Sequence, residues 1–176
     1  MSDSNWYAVF VRPKMEKQIG AVLIEKGFEV CVPMYRCRRR WSDRYKWLDL
    51  PLFPTYLFCR LALRQKTLVL TTPGVIRIVS QGVVPLPVGD EEMNGLLQLC
   101  RSGVHALPLP AIPTGSRVRI KSGALAGVEG TLLEERRVSR VVLSVSLLNR
   151  AVCVEIDGID IEPSPNYLPQ RGTVFV

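Results

Sequence analysis

The feature that most constrains the fold is a proline-rich, almost uncharged segment in the second half of the 176-residue chain. Pro108, Pro110 and Pro113 stand within residues 103–114. Prolines at this spacing remove backbone hydrogen-bond donors and favour an extended, semi-stiff connector. A single continuous sheet or bundle running through this segment is therefore disfavoured, and the sequence predicts a linker between two domains.

Charge also differs between the two sides of this segment. Residues 1–112 contain 15 basic and 9 acidic side chains, whereas residues 113–163 contain 7 of each. Regions of such different charge are typical of domains that have different partners. We therefore expect an N-terminal domain at 1–102, the linker at 103–114, a C-terminal domain at 115–163 and a flexible tail at 164–176.

The N-terminal region alternates between strand-like and helix-like patterns. Apolar residues recur at helical spacing from Met15 to Leu23, and Gly27 then supplies a stop. Asp90 opens a second helix, because acidic residues suit the positive end of the helix dipole. Strands are predicted at 5–11, 28–33, 55–61 and 75–80, and a weaker helix at 65–70. This order predicts an α+β domain, with an antiparallel sheet flanked by helices and a basic hairpin inserted.

The C-terminal region contains only short β-rich runs separated by glycine, charge or asparagine. The runs lie at 117–121, 128–135, 140–148, 151–156 and 159–161. About 50 residues of this kind bury a core by closing into a small barrel. The β-branched residues between Val138 and Val145 favour strands here.

Several function classes lack their usual residues in this sequence. His105 is the only histidine, and the five cysteines form no C-x-x-C pair, so we expect no enzyme activity, metal or cofactor. The cysteines are interpreted as reduced, mostly buried thiols. No run of about 18 apolar residues and no signal-peptide pattern is present. We therefore expect a soluble, cytoplasmic monomer without a membrane partner.

Two motifs indicate a family. The pattern Val118-x-Ile120-x-x-Gly123-x-x-x-Gly127-x-x-Gly130 resembles the KOW motif of small nucleic-acid-binding and protein-binding barrels. The segment PLFPTYLFCRL at 51–61 resembles the F-P-x-Y strand of the NGN domain. Because both occur in the right order across a linker, the chain resembles the NusG family of transcription elongation factors over residues 6–163. Within it, PLFPTYLF and the run of arginines at 38–40 are most similar to the specialised RfaH-like branch.

The resemblance implies a function. It implies a non-enzymatic transcription elongation factor that binds the clamp helices of the RNA polymerase β′ subunit and suppresses pausing or termination. In the family, an apolar depression on the NGN domain makes that contact. The matching residues are Phe10, Phe53, Pro54, Tyr56, Phe58, Ile78, Met93, Leu96 and Leu97. Strand alternation also allows Phe53, Phe58 and Trp6 to be core residues.

The basic stretch is a second candidate surface. Arginines and lysines interleaved with Trp41, Tyr45 and Trp47 suit phosphate contact and base stacking. We expect salt-sensitive binding to non-template or upstream DNA, although a solvated charged hairpin is the alternative. The candidate residues are Arg36, Arg38, Arg39, Arg40, Arg44 and Lys46, extended by Arg12, Lys14 and Lys17.

The resemblance also implies a partner for the C-terminal domain. In NusG proteins the loop matching residues 146–156 holds either termination factor Rho or a small-subunit ribosomal protein, which makes Leu147, Leu148 and Arg150 the candidate contacts. The zero net charge of the domain favours a protein partner over RNA. Two other functions stay open from the residues, an RNA-binding KOW protein of the ribosomal type and a nucleic-acid enzyme, the latter disfavoured by the lack of clustered metal ligands.

Overall fold

The computed structural model describes residues 4–41, 44–109, 115–135, 138–156 and 161–164. The linker prediction for 110–114 and the tail prediction for 165–176 lie outside these residues. Within the described ranges, no helix is both long enough and apolar enough to cross a membrane.

The N-terminal half is built on a four-stranded antiparallel sheet in the order β2-β5-β1-β6. Strands β3 and β4 pair only with each other and form a separate hairpin, as do the short strands β7 and β8. The element bounds are β1 Ser4–Val11, α1 Glu16–Glu25, β2 Glu29–Cys31, β3 Met34–Trp41, β4 Arg44–Pro51, β5 Tyr56–Ala62, α2 Lys66–Leu70, β6 Val75–Ile78, β7 Ser80–Gln81, β8 Val84–Pro85 and α3 Asp90–Ser102.

The two faces of this sheet belong to different hydrophobic cores. On β1, Tyr7, Val9 and Val11 pack with Ile19 and Leu23 of α1. The alternate residues Trp6 and Ala8 pack on the other side, in the core that includes α3. This follows from the two-residue period of a strand, which sends successive side chains to opposite faces. The predicted sheet flanked by helices is confirmed.

The C-terminal half is a six-stranded antiparallel sheet in the order β14-β10-β11-β12-β13-β9. Asn149 has φ of 48° and makes the tight return from β12 to β13 possible, since asparagine tolerates the left-handed region. The element bounds are β9 Ala106–Leu109, β10 Ser116–Ile120, β11 Glu129–Glu135, β12 Val138–Val145, a 3₁₀ turn Ser146–Leu148, β13 Arg150–Ile156 and β14 Ile161–Pro163. The α+β class of the whole chain is confirmed.

The structure differs from the sequence prediction in the segment 103–114. Its residues Ala106–Leu109 form β9, which pairs with β13 of the C-terminal sheet. Proline is tolerated there because β9 is an edge strand, where a missing N–H leaves no partner unsatisfied. The small Ala106 is buried, and Leu109 packs beside Val142. The residues on either side of Pro108 thus extend the C-terminal sheet.

The two halves share one core. Many of its N-terminal members come from the sheet face that carries Trp6 and Ala8 and from α3, and its C-terminal members include Val118, Val141 and Val152. The apolar side chains of the C-terminal sheet therefore bury part of the N-terminal half as well as their own strands.

Candidate functional site

Two aromatic rings mark the rim of the face that the N-terminal sheet turns toward α3. Phe10 of β1 and Tyr56 of β5 stand directly opposite each other, with ring centroids 5.3 Å apart and planes tilted by 47°. Both side chains are partly buried. The guanidinium of Arg77 lies 5.5 Å from the Phe10 ring. We call Phe10, Pro54 and Tyr56 the aromatic rim.

The turn before β5 holds the rim in place. Thr55 has φ of 71°, and its backbone N–H donates a 2.8 Å hydrogen bond to Oε1 of Glu16. Glu16 is 4% exposed at the start of α1. A buried carboxylate needs such a partner, and the bond stabilises an otherwise strained backbone position. Glu16 therefore fixes Pro54 and Tyr56 on either side of the turn.

Four of the predicted polymerase contacts lie beneath the rim. Phe53, Phe58, Met93 and Leu96 have no exposed surface. Phe53 and Phe58 meet edge to face at 5.4 Å. Buried in this way, they shape the surface from below and offer nothing to a partner in this conformation. The partly buried Leu97 packs against the same core.

The structure separates Ile78 from the other predicted contacts. Ile78 lies on β6, opposite Val9 of β1, and packs in the core on the α1 side of the sheet. Residues directly opposite each other point to the same face, and Val9 points away from Phe10. Ile78 is therefore not part of the face that carries the aromatic rim.

The C-terminal sheet contacts the aromatic rim directly. The Arg150 guanidinium lies 5.4 Å from the Tyr56 ring, and its Nη1 donates a 3.4 Å hydrogen bond to the Pro54 carbonyl. Leu147 and Leu148 are partly buried against the shared core. Of the three residues predicted to bind a partner of the C-terminal domain, Arg150 thus contacts the N-terminal half, and the two leucines pack on the core that both halves share.

Helix α3 supplies further contacts across the same boundary. Oε1 of Glu92 accepts hydrogen bonds from the Ser146 backbone N–H at 3.0 Å and from its hydroxyl at 2.6 Å. Nε2 of Gln98 donates to the carbonyls of Ala124 and Ala126 at 3.1 and 3.0 Å. We call these bonds, together with those of Arg150, the interdomain contacts.

A glycine on α3 allows the close approach. A Cβ at Gly95 would lie 3.3 Å from Cγ1 of Val128, tighter than ordinary van der Waals contact. Sequence reasoning did not identify Gly95, Glu92, Gln98 or Ser146. Only the glycine inside a predicted helix gave a signal, since such a residue usually marks close packing.

The β3–β4 hairpin is the second candidate surface, and one of its faces combines three arginines, Arg36, Arg38 and Arg40, with the rings of Tyr45 and Trp47. Across the hairpin Arg38 stands opposite Trp47, and Arg40 stands opposite Tyr45. The Arg38 guanidinium lies 4.0 Å from the Tyr45 ring centroid, and that of Arg36 lies 5.3 Å from the Trp47 ring. Tyr45 and Trp47 are 58% and 57% exposed. We call this face the arginine ladder.

The other predicted basic residues lie outside the arginine ladder. Lys17 of α1 forms a 3.9 Å ion pair with Asp49 of β4, which joins the basic start of the helix to the hairpin. Arg39 and Lys46 stand opposite each other on the second face of the hairpin. The remaining predicted residues, Arg12, Lys14 and Arg44, are all exposed.

Glu129 is the acidic residue that holds the edge of the C-terminal sheet together. It lies on β11 and accepts a 2.7 Å hydrogen bond from Arg119 of β10 and a 2.8 Å bond from the Ser164 hydroxyl, next to β14. These bonds from Ser164 and Arg119, helped by the charge of Arg117, lower the pKa of Glu129 from its ordinary value of 4.5. Ionised Glu129 therefore stabilises three adjacent strands.

No metal site is visible in this arrangement. Within the described ranges, no three histidine, cysteine, aspartate or glutamate side chains gather to hold an ion. His105 lies 3.3 Å from the Arg36 carbonyl through Nε2, at the base of the hairpin. The geometry thus offers an aromatic rim, an arginine ladder and a boundary between two halves.

Comparison with known proteins places the chain among transcription factors. A family model described as transcription termination factor NusG matches residues 4–97. The transcription termination/antitermination protein NusG of Thermus thermophilus is 29% identical over 175 residues, which cover 86% of this chain and 94% of that protein. The protein of the same name from Escherichia coli K12 is 28% identical over 153 residues, covering 84% and 80%.

A solved structure shares the fold. The structure described as domain interaction in Thermotoga maritima NusG aligns with a TM-score of 0.55 and 24% identity. The alignment covers 91% of this chain and 97% of that one. The likeness extends over both halves of the molecule.

Proposed function

This chain belongs to the NusG family of transcription termination and antitermination factors, and from that premise we propose that it binds bacterial RNA polymerase through its aromatic rim. The observation that supports this is the Phe10–Tyr56 pair, two large rings that stay partly exposed above a fully buried aromatic core. Aromatic anchors of this kind supply much of the binding energy when a helix docks in a groove. The proposed partner is the clamp-helix coiled coil of the β′ subunit.

Binding there requires the C-terminal sheet to move. Arg150 occupies the space above Tyr56 and bonds the Pro54 carbonyl, so a clamp helix and the sheet compete for one surface. Arg150, Leu147 and Leu148 are also the residues proposed to bind Rho or a small-subunit ribosomal protein. Release of the sheet therefore exposes both proposed binding sites in a single step.

The arginine ladder would contact nucleic acid near the polymerase. Its guanidinium groups lie beside exposed aromatic rings, an arrangement that offers phosphate contacts and stacking surfaces together. The non-template strand or the upstream duplex is the proposed ligand. Because the arginines of the ladder are exposed, the ladder can bind without release of the C-terminal sheet.

The proposed outcome is suppressed pausing or termination, with RNA synthesis left to the polymerase. The matches above are to NusG proteins, so the RfaH-like branch stays a prediction from PLFPTYLF and the arginines at 38–40. A factor of that branch would act on selected operons, and this chain would then be an antitermination factor.

Binding of the full chain to an isolated β′ clamp-helix fragment tests the proposal. The fragment carries no nucleic acid, so the arginine ladder does not contribute. We expect Tyr56→Ala to weaken binding at least about tenfold, since a central aromatic anchor is worth 2 kcal/mol or more. Tyr45→Ala is the matched control, because it removes the same side chain from the hairpin and should leave this affinity unchanged.

Two results would contradict the proposal. One is wild-type protein that fails to bind both the fragment and whole polymerase. The other is equal binding by wild type and Tyr56→Ala. Retained affinity for structured RNA in the first case would favour an RNA-binding KOW protein of the ribosomal type.

A further inference from the structure

Two cysteines of the N-terminal half lie within reach of each other. The sulfur of Cys31 is 3.6 Å from the sulfur of Cys100, although 69 residues separate them in the chain. Cys31 ends β2 at the edge of the sheet, and Cys100 lies in the last turns of α3. Both are free thiols here. A disulfide needs a sulfur separation of about 2.05 Å, so a shift of about 1.5 Å would join them.

The two thiols differ in access. Cys100 is exposed, whereas Cys31 is 6% exposed. Cys100 also lines a cleft between the base of the hairpin and the chain leaving α3, beside Arg36 and His105. A small oxidant from solvent can therefore reach the sulfur of Cys100, whereas the sulfur of Cys31 is shielded from solvent.

The pKa values of the two thiols also favour reaction at Cys100 over Cys31. The hydrogen bond from Cys31 lowers the pKa of Cys100; partial burial of the thiol opposes this shift, and the Arg101 charge adds a smaller lowering. The same hydrogen bond, together with burial, raises the pKa of Cys31. Burial raises the pKa of Cys59 to about 12, which makes that thiol inert. Thiolate character and exposure decide which cysteine an oxidant attacks.

We propose that Cys100 and Cys31 form a reversible redox-modification site in which hydrogen peroxide oxidises Cys100 and Cys31 resolves it to a disulfide. The Cys100 thiolate attacks one peroxide oxygen, the O–O bond breaks, and Cys100 becomes a sulfenic acid while hydroxide leaves. The Cys31 sulfur then attacks the Cys100 sulfur. The S–S bond forms, the S–O bond breaks, and the hydroxyl leaves with the Cys31 proton as water. Two thiols lose two electrons in total, and the peroxide is reduced.

The disulfide would act at the boundary between the two halves. It would fix the end of α3 to β2, just before Gly103, where the chain turns toward β9. The other end of α3 holds Ser146 through Glu92. Oxidation would therefore restrain the helix on which the C-terminal sheet packs, whatever partner the aromatic rim binds.

Hydrogen peroxide treatment of the full chain, followed by peptide mapping, tests the site. We expect an intact-mass loss of about 2 Da, one Cys31–Cys100 cross-link, and full reversal by dithiothreitol. Cys37→Ser should behave like wild type and is the matched control. Cys31→Ser lacks the resolving thiol and should accumulate a sulfenic acid on Cys100 that dimedone traps.

Other patterns of oxidation would overturn the proposal. They are cross-links through Cys37 or Cys153 in place of this pair, or overoxidation of Cys100 while Cys31 stays a thiol. Since Cys31 is buried, its serine variant could fail to fold. In that case the cross-link map of Cys37→Ser, which retains the pair, decides the result alone.

Discussion

The arginine ladder and the aromatic rim differ in what surrounds them. The ladder lies on a hairpin that pairs only with itself, and Tyr45 and Trp47 expose more than half of their surface. The rim lies under Arg150 of the C-terminal sheet. Both surfaces combine aromatic rings with arginine, but on the ladder all groups come from one hairpin. On the rim the arginine beside Tyr56 comes from the other half of the chain, and it bonds Pro54 from 96 residues away in sequence.

This difference shows that two surfaces of similar composition can differ in access. The ladder is always open to a ligand, whereas the rim is open only when the C-terminal sheet has moved away. The free energy of nucleic-acid binding at the ladder comes from the residues of one hairpin, so the affinity depends on those residues and on the salt concentration. The affinity of the rim contains a second equilibrium, because only the fraction of molecules with a released C-terminal sheet can bind. Changes at the interdomain contacts should therefore alter binding at the rim and leave the ladder unaffected.

The largest expected effect comes from reversing the charge of the ladder. The triple variant Arg36→Glu, Arg38→Glu, Arg40→Glu should lose of order 100-fold affinity for a single-stranded oligonucleotide at low salt, because phosphate contacts become repulsions. The slope of log affinity against log salt should fall by about 2, at roughly 0.7 for each lost contact. Fluorescence anisotropy across a salt series measures both quantities.

Arg64→Glu is the control for this variant. Arg64 is exposed beside α2, on another element of the same half. Its reversal should change affinity only a few-fold. An unchanged salt slope in the triple variant would show that the ladder does not contact phosphate.

Reversing Arg150 should release the rim. In Arg150→Glu a carboxylate replaces the guanidinium beside the Tyr56 ring and the Pro54 carbonyl, so attraction becomes repulsion. The affinity of the full chain for the clamp-helix fragment should rise about tenfold, which corresponds to about 1.4 kcal/mol of lost interdomain stability. Titration calorimetry measures the change.

Lys121→Glu is the charge-matched control for Arg150→Glu. Lys121 is exposed at the end of β10. Its reversal should leave clamp-helix affinity unchanged. Equal affinities for wild type and Arg150→Glu, with both folded, would mean that the C-terminal sheet does not limit access to the rim.

A smaller effect should follow from removing the Glu92 carboxylate. Glu92→Ala deletes the acceptor of the Ser146 amide and hydroxyl, two exposed bonds that together are worth about 1 kcal/mol. Hydrogen exchange of the peptide containing Ser146 should speed up about fivefold. Glu91→Ala is the control, since it removes an equivalent charge from the first turn of α3 and makes no bond to Ser146. Equal exchange in the two variants would exclude a role for Glu92 in holding the sheet.

The smallest expected effect is on acid stability. Because the pKa of Glu129 is lowered in the folded protein, its contribution to stability is present above the ordinary value of 4.5 and is lost as pH falls through the lower folded value. Glu129→Gln should reduce the free energy of unfolding by about 1 kcal/mol at neutral pH and by less in acid. Urea unfolding at a series of pH values measures this.

The exposed Glu155, which pairs with Arg140, provides the control variant Glu155→Gln. An equal loss of stability in both variants would contradict the stabilising role of ionised Glu129.

Much of the fold could be predicted from local sequence patterns. The helical spacing from Met15 to Leu23, the acidic start of α3 and the alternation in β1 and β5 depend on neighbours within a few residues. The ladder was also predictable as a set of residues, because a hairpin with alternating arginines places them on one face. The structure adds the strand register, which places Arg38 opposite Trp47 and so decides which ring lies beside which arginine.

Other features depend on contacts that no local pattern encodes. β9 lies among prolines and is a strand because β13 offers an edge to pair with. In the sequence Ile78 is as apolar as the other predicted polymerase contacts, but the strand register places it opposite Val9, on the face toward α1. In both cases a partner distant in sequence decides the result.

The sequence by itself determined the two β-rich halves, the helices of the first half and the residue types at each candidate surface. These properties follow from periodicity, turn residues and charge, which act over short distances along the chain. Only the tertiary structure decided that Arg150 lies against Tyr56, that Gly95 admits Val128 and that Cys31 meets Cys100. Each of these contacts joins segments far apart in sequence, and packing of the whole core determines which of them meet.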